Sequence, residues 1–347
     1  MPSHRSAPEL SVLDEIPDGL LDCRAGDLAH ILPEPTLLRL KGRHGPPLFV
    51  SILLHGNEHT GFDAARLVLS KYRDRVLPRD LLLFIGNVAA AEQNLRTLPS
   101  QTDYNRVWPG TLFPTAPEVP MMRHVMQIAE EYRPFASIDI HNNTGFNPHY
   151  ACVSHLEEHH LHLARLFSRT VVYFTQPVGV QSAAFADICP SVTVECGKSG
   201  SDSSAGHAAE FMAACLSLSH VPEHPVPRED LDIMRTFAVV KVPEAATFSF
   251  DGSEADFKFR ADLDRLNFSE CAPGTSFGRL GRDGHHRLAV TPGFDGAPMD
   301  SYFDHARGEI RLTQDVIPAM LSLDPEAIRQ DCLGYLMHRI DRSGNRL

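Results

Sequence analysis

Six short apolar runs, at residues 48–54, 81–86, 135–140, 149–153, 171–174 and 191–195, recur in this chain, and helix-like segments near 60–73, 118–132, 155–169 and 203–219 lie between them. Continuous apolar runs of this length, rich in β-branched residues, belong to strands buried on both faces, which need helices to cover them. The pattern predicts an α/β fold, a mixed and mostly parallel sheet with helices on both faces. Open sheets of this kind bind ligands at the carboxyl ends of their strands. The residues at the exits of the runs are therefore the ones to read for chemistry.

At the first exit the sequence is Ser51-Ile-Leu-Leu-His55-Gly-Asn-Glu58. A hydrolytic zinc site takes imidazole nitrogen and carboxylate oxygen from three protein ligands and keeps a fourth position for water. His55 and Glu58 supply two of these, and His141, after the run Phe135-Ala-Ser-Ile-Asp139-Ile, is the best third ligand. With 19 histidines in the chain an isolated His-x-x-Glu means little, so its company decides. Asn87 follows the second run and Arg96 lies beyond it, Asp103-Tyr-Asn105-Arg106 comes next, and Glu195 ends the run at 191–195 before a Gly/Ser-rich loop.

A competing motif is His155-Leu-Glu-Glu-His159, which matches a pattern in which two histidines one helical turn apart hold zinc. Ser154 and Glu157 read instead as a helix capping box, and Leu156, Leu163 and Phe167 as a core-facing stripe. On that reading His159, His160 and His162 form a solvated surface.

His55-Gly-Asn-Glu58, Asn87 with Arg96, the Asp-x-Asn-Arg-x-x-x-Gly run at 103–110, Asp139-x-His141-Asn and Glu195-x-Gly197 together resemble the succinylglutamate desuccinylase/aspartoacylase family, a branch of the zinc carboxypeptidase superfamily. The resemblance covers roughly residues 45–215. It implies a zinc carboxypeptidase-like catalytic domain with one Zn²⁺ per chain on His55, Glu58 and His141, and a β-rich C-terminal module. It also implies Glu195 as general base and then general acid, a role that suits its position at a strand end. Arg96 matches the residue that stabilises the charge growing on the carbonyl oxygen, and Asn87 matches a family position.

Arg106 has a planar fork suited to a substrate carboxylate, with Asn105 adding an amide donor. Asp139 alternates with Ser137 and His141 on its strand, which makes it, or the nearby Asp103, the acceptor for the outer ring nitrogen of a metal-bound histidine. Lys198, in the loop Gly197-Lys198-Ser-Gly-Ser-Asp, either receives a second substrate carboxylate or is a solvated loop lysine. The expected reaction is zinc-dependent hydrolysis of the amide bond of a small N-acyl amino acid with a free carboxylate. The alternatives are a metallocarboxypeptidase acting on short peptides and, from a different class, a zinc-bound binding module without catalysis.

A net charge of −12 argues against general nucleic-acid or anionic-membrane surfaces, which require basic patches. The seven cysteines form no Cys-x-x-Cys pair, and the chain shows neither a signal-peptide core nor a membrane-length apolar run. A cytoplasmic protein with reduced thiols is expected, and a homo-oligomer is compatible with the sequence. Val221-Pro-Glu-His-Pro-Val-Pro227 reads as a joint. It suggests a catalytic domain at 1–225, with a β-rich lead-in at 1–46, and a β-rich domain at 226–347 ending in a helix over 325–340 capped by Asp324.

Overall fold

The computed structural model describes residues 7–281, 284–292 and 302–347, so residues 1–6 of the lead-in lie outside it. The chain divides into two compact units, one of residues 7–142 and 149–232, the other of 143–148 and the described part of 233–347.

The first unit is the α/β layer that the apolar runs predict. Its strands are β1 (Ser11–Leu13), β2 (Thr36–Leu40), β3 (Leu48–Ile52), β4 (Leu81–Ile85), β5 (Ala136–His141), β6 (Tyr150–Val153), β7 (Thr170–Tyr173) and β8 (Ser191–Glu195). They lie in the order β1-β2-β4-β3-β5-β8-β6-β7. The pairs β3/β4, β3/β5, β5/β8, β6/β7 and β1/β2 are parallel, whereas β2/β4 and β6/β8 are antiparallel. The helices are α1 (Thr60–Ser70), α2 (Val88–Glu92), α3 (Val119–Tyr132), α4 (Glu158–Phe167), α5 (Gln181–Ala186) and α6 (Asp202–Ser217).

Side chains alternate across a strand, so each sheet face can be read from the register. One face carries Phe49 and Phe84, which pack with Met122 and Val125 of α3, Phe185 of α5 and Trp108. Phe84 and Phe185 meet the Trp108 ring at centroid distances of 5.9 and 6.0 Å. The opposite face carries Ile52 and Ile140, against which α1 sits so closely that a Cβ on Gly61 would lie 2.8 Å from Ile52. The lead-in is less regular than expected. Between β1 and β2 it holds turns and a short 3-10 helix, Ala25–His30.

Helix α4 departs from the surface reading of its histidines. No side-chain cap forms at its start, and Ser154 Oγ contacts the His155 ring instead of capping the helix. His160 and His162 are buried, because the helix turns them onto the chain beneath: the Ser191 N–H donates to His160 Nδ1 at 2.9 Å, and His162 Nε2 lies 2.7 Å from the His224 carbonyl oxygen. Burial, with the imidazoles of His159 and His155 nearby, pushes the His160 pKa down to about 4. The unfolded chain therefore binds a proton that the folded chain refuses between about pH 6.5 and 4, and stability falls as pH drops through that window. The His160 contribution reaches at most about 1.4 kcal/mol per pH unit. His160→Asn, which keeps an acceptor for Ser191, is expected to shrink the drop in urea midpoint between pH 7 and pH 5. Equal drops in both proteins would show that folded His160 takes up its proton freely.

In the second unit, β9 (Asp232–Lys241) pairs antiparallel with β13 (Ala289–Pro292) and β17 (Gly334–Arg339), and β17 with β16 (Ile317–Ala319). A separate sheet runs in the order β10 (Phe248–Ser249), β11 (Phe257–Phe259), β12 (Ser276–Leu280), β15 (Glu309–Leu312), β14 (Phe303–Asp304). The segment at 143–148 joins this unit through Thr144 to Ser322 and through the Phe146 N–H to Asp264.

The helix expected over 325–340 is corrected. Asp324 does cap a helix, accepting from the Glu326 and Ala327 N–H groups, but α7 is only Pro325–Gln330. The backbone leaves the helical region at Asp331 (φ −128°, ψ −85°), and Gly334–Arg339 forms β17, which pairs with β9 and carries the buried Leu336 and Met337. A ladder with a buried face outweighs the few tenths of a kcal/mol per residue by which helix propensities differ.

Candidate active site

The chain after β3 turns at Leu53, whose φ of 54° is left-handed. Gly86 and Asn87 donate their N–H groups to the Ile52 and Leu53 carbonyls, which carries the β3/β4 ladder to the start of α2. His55 and Glu58 follow on this turn. A Cβ on Gly56 would come within 2.2 Å of the Ala90 backbone, so only glycine lets the ligand turn lie against α2.

His55, Glu58 and His141 converge. Their ligand atoms lie within 4.8 Å of one another, and all three residues are buried. His55 Nδ1 is 2.7 Å from Glu58 Oε1, and His141 Nδ1 is 2.7 Å from Glu58 Oε2. Each outer ring nitrogen meets its own carboxylate: His55 Nε2 lies 3.0 Å from Asp103 Oδ1, and His141 Nε2 lies 2.7 Å from Asp139 Oδ2. Both rings are thus held with Nδ1 toward the same point. That orientation is the one a metal needs, and the outer carboxylates raise ligand basicity.

The electrostatics agree with a cation at this point. Burial disfavours charge on all three groups, yet their mutual attraction prevails. Glu58 is held far below the usual carboxylate range by His55 and His141. His141 is raised well above the usual imidazole value by Asp139 and Glu58, and His55 is raised against burial and Arg96 by Glu58 and Asp103. Imidazoles that hold protons because carboxylates surround them release those protons to a divalent metal. One carboxylate and two oriented imidazoles from three chain positions fit Zn²⁺.

Arg96 stands beside this cluster. Its Nε and Nη2 donate to Asp103 Oδ2 at 3.2 and 2.9 Å, and its Nη1 lies 3.7 Å from Glu58 Oε1. Asp103 therefore joins His55 to Arg96, and burial of its carboxyl is outweighed by those two cations and Arg106, which keep its pKa well down. Asn105 is fixed at both ends. Its own N–H donates to Asp103 at 2.7 Å, its Oδ1 accepts the Gln181 N–H at 2.8 Å, and its Nδ2 lies 3.3 Å from His141 Nε2. Arg106 is half-buried and donates from Nη1 to the Asn105 carbonyl.

Glu195 ends β8 directly beside His141, its register partner on β5, and is buried. Neighbours paired in this way share a sheet face, which puts a carboxylate next to His141 of the His-Glu-His cluster.

Two predicted residues stand elsewhere. Asn87 caps α2 by accepting the Ala90 N–H and donates to Gln101 at 2.9 Å, so these bonds do not reach the His-Glu-His cluster directly. Lys198 is exposed, and its neighbours attach to the α1 side: the Gly197 carbonyl accepts from Asn142 Nδ2, and Ser199 Oγ accepts the His59 N–H. Among the described residues, His55, Glu58 and His141 form the metal-type cluster of three, and the His155 to His159 motif does not.

Sequence reading missed Ser51 and Thr193. Ser51 Oγ donates to Asp139 Oδ1 at 2.6 Å, and Thr193 donates to Ser182 at 2.7 Å with Asp139 at 3.5 Å. Both are register partners of Asp139, information that strand alternation carries only once the pairing is known.

The fold and the site define an α/β protein with a buried His-Glu-His cluster, a group that could hold a metal ion, at its strand ends. The chain belongs to the succinylglutamate desuccinylase/aspartoacylase family: the description of the Succinylglutamate desuccinylase/Aspartoacylase catalytic domain matches residues 44–219. The succinylglutamate desuccinylase of Vibrio cholerae is similar in structure, with a TM-score of 0.59 and 14% identity over 93% of this chain and 97% of that one. Murine aminoacylase 3 gives a TM-score of 0.58 at 16% identity, covering 85% of this chain and 95% of that one. The product-bound ectoine utilization protein EutE (DoeB) of Ruegeria pomeroyi gives 0.51 at 16%, covering 88% and 84%. At such identities the likeness is one of fold. Comparison with curated protein sequences finds no match.

Proposed function

We propose that this protein is a zinc-dependent deacylase that hydrolyses the amide bond of an N-acyl amino acid bearing a free carboxylate. One observation carries the reading: the His55–Glu58–His141 cluster has Glu195 in register on one side and Arg96 within 3.7 Å of Glu58 on the other. Family membership and likeness to structures named as desuccinylases and an aminoacylase support it.

His55, Glu58 and His141 would hold the zinc, which when bound would supply Lewis acidity and bring the pKa of water toward about 7. Glu195 takes the water proton and later delivers it to the leaving nitrogen, so one carboxylate serves as base and then acid. Arg96 meets the charge that grows on the carbonyl oxygen, and Asp103 fixes its guanidinium by accepting from Nε and Nη2. Asp103 and Asp139 hold the two imidazoles, and Asn105 with Arg106 holds the substrate carboxylate.

Metal analysis combined with a panel of N-acyl amino acids and dipeptides tests this. Zinc at one per chain and turnover of the acyl amino acids support the deacylase. Preference for dipeptides would make it a carboxypeptidase. Arg106→Lys loses the planar fork, so kcat/KM is expected to fall roughly 10-fold or more for substrates with a free α-carboxylate and much less for their amides. Equal losses on both would remove Arg106 from carboxylate binding.

A further inference from the structure

Ser51 is the one polar residue in an apolar run. Residues 48–54 read Leu-Phe-Val-Ser-Ile-Leu-Leu, and every residue of β3 within that run is buried. A hydroxyl in such a place costs free energy unless it is hydrogen-bonded, and valine would suit the strand without that cost. The use of the Ser51 hydroxyl lies in the bond it makes.

That bond crosses between the two strands that carry the cluster. Ser51 on β3 is the parallel register partner of Asp139 on β5, and its Oγ donates to Asp139 Oδ1 at 2.6 Å. Strand β3 leads into His55 and Glu58, whereas β5 ends at His141. Ser51 and Asp139 are both 0% exposed, and the other carboxylate oxygen, Oδ2, lies 2.7 Å from His141 Nε2. Among the described residues, Ser51 is the side chain that bonds Oδ1. Thr193, the partner of Asp139 on β8, stands 3.5 Å from Oδ2 and gives its shorter bond, 2.7 Å, to Ser182.

A carboxylate held at one oxygen can turn about its Cβ–Cγ bond, because that torsion is broad. Held at both oxygens, from two different strands, its plane is fixed. The ring opposite Oδ2 is fixed with it, since the partner of the outer nitrogen sets the orientation of a ligating imidazole. His141 Nδ1 then stays directed at Glu58, 2.7 Å from Oε2.

We infer that Ser51 is a positioning residue of the His-Glu-His site: its hydroxyl fixes the Asp139 carboxylate, the carboxylate fixes the His141 ring, and the strength of zinc binding depends on both. This inference rests on the zinc reading above. Ser51 acts through Asp139 and needs no contact with zinc or substrate.

Competition with a chelator measures zinc affinity in the wild type, Ser51→Ala, Asp139→Ala and the double variant. Ser51→Ala is expected to bind zinc about tenfold more weakly than the wild type, the lower end of the range for residues that support metal ligands. In the Asp139→Ala background the same substitution should change affinity less than about twofold, since the hydroxyl has lost the carboxylate through which it acts. Equal losses in both backgrounds, or no loss in either, overturn the inference. Loading the proteins with Co²⁺ gives a second readout. The visible absorption of Ser51→Ala is expected to differ from that of the wild type, because His141 is less tightly oriented. Identical spectra would reduce the hydroxyl to a contribution to folding and overturn its positioning role. If Ser51→Ala does not fold, Ser51→Cys, close in size but a weak donor, takes its place, and wild-type affinity in that variant overturns the inference. Wild-type protein that takes up no zinc overturns the metal reading and this inference together. Wild-type uptake with unchanged affinity in Ser51→Ala overturns this inference alone.

Discussion

Glu195→Ala is expected to retain zinc at one per chain and to lose roughly 10³–10⁴-fold in kcat, the upper range for removing a positioned general base that also acts as acid. The loss should fall on kcat with little change in KM, because the carboxylate acts on the water and the leaving nitrogen rather than on the groups that bind substrate. Its position makes this testable without ambiguity about the metal. Glu195 is beside His141 in the β5/β8 register, while the ligand contacts of His141 run to Glu58 and Asp139. A Glu195→Ala protein that turns over normally would end the proposed mechanism, and one that loses zinc would make Glu195 a ligand.

His55→Ala is expected to lose metal and activity together. The substitution removes one of three ligands and also leaves Asp103 without its partner on the His55 ring. A partner of a metal ligand is alone worth about 10–100-fold in metal affinity, so loss of the ligand itself should exceed that, as read by competition with a chelator. Zinc uptake by the wild-type protein should release protons near neutral pH, since His141 and His55 hold theirs above the usual imidazole range. Apparent zinc affinity then rises with pH until those imidazoles are neutral without the metal, and a flat profile would contradict the proton-held arrangement. Zinc binding by His55→Ala at wild-type affinity would move the metal site elsewhere.

Much of the first unit was readable from the chain because its strands are buried on both faces. The runs at 48–54, 81–86, 135–140 and 191–195 become β3, β4, β5 and β8 with ends shifted by a residue or two. Their polar exits follow directly, since a chain leaving a buried strand must place its first hydrophilic groups at the sheet edge. The region near the C-terminus was less readable. Pro325 to Ile340 has helix-like spacing, yet the pairing of β17 with β9 is a contact between residues about a hundred positions apart, which local pattern does not encode. The same holds for His160 and His162, whose burial depends on Ser191 and His224.

Local chemistry in the sequence placed His55, Glu58 and His141 at the ends of apolar runs, and the motifs around them made these three the candidate ligand set. Their meeting at one point, the pairing of His55 with Asp103 and of His141 with Asp139, and the Ser51 hydroxyl behind Asp139 are products of the tertiary structure. The reason is physical. Residue type and strand end are local properties of the chain, but a ring orientation is set by whatever hydrogen-bond partner packing brings to its outer nitrogen, and only strand order and register decide which partner that is.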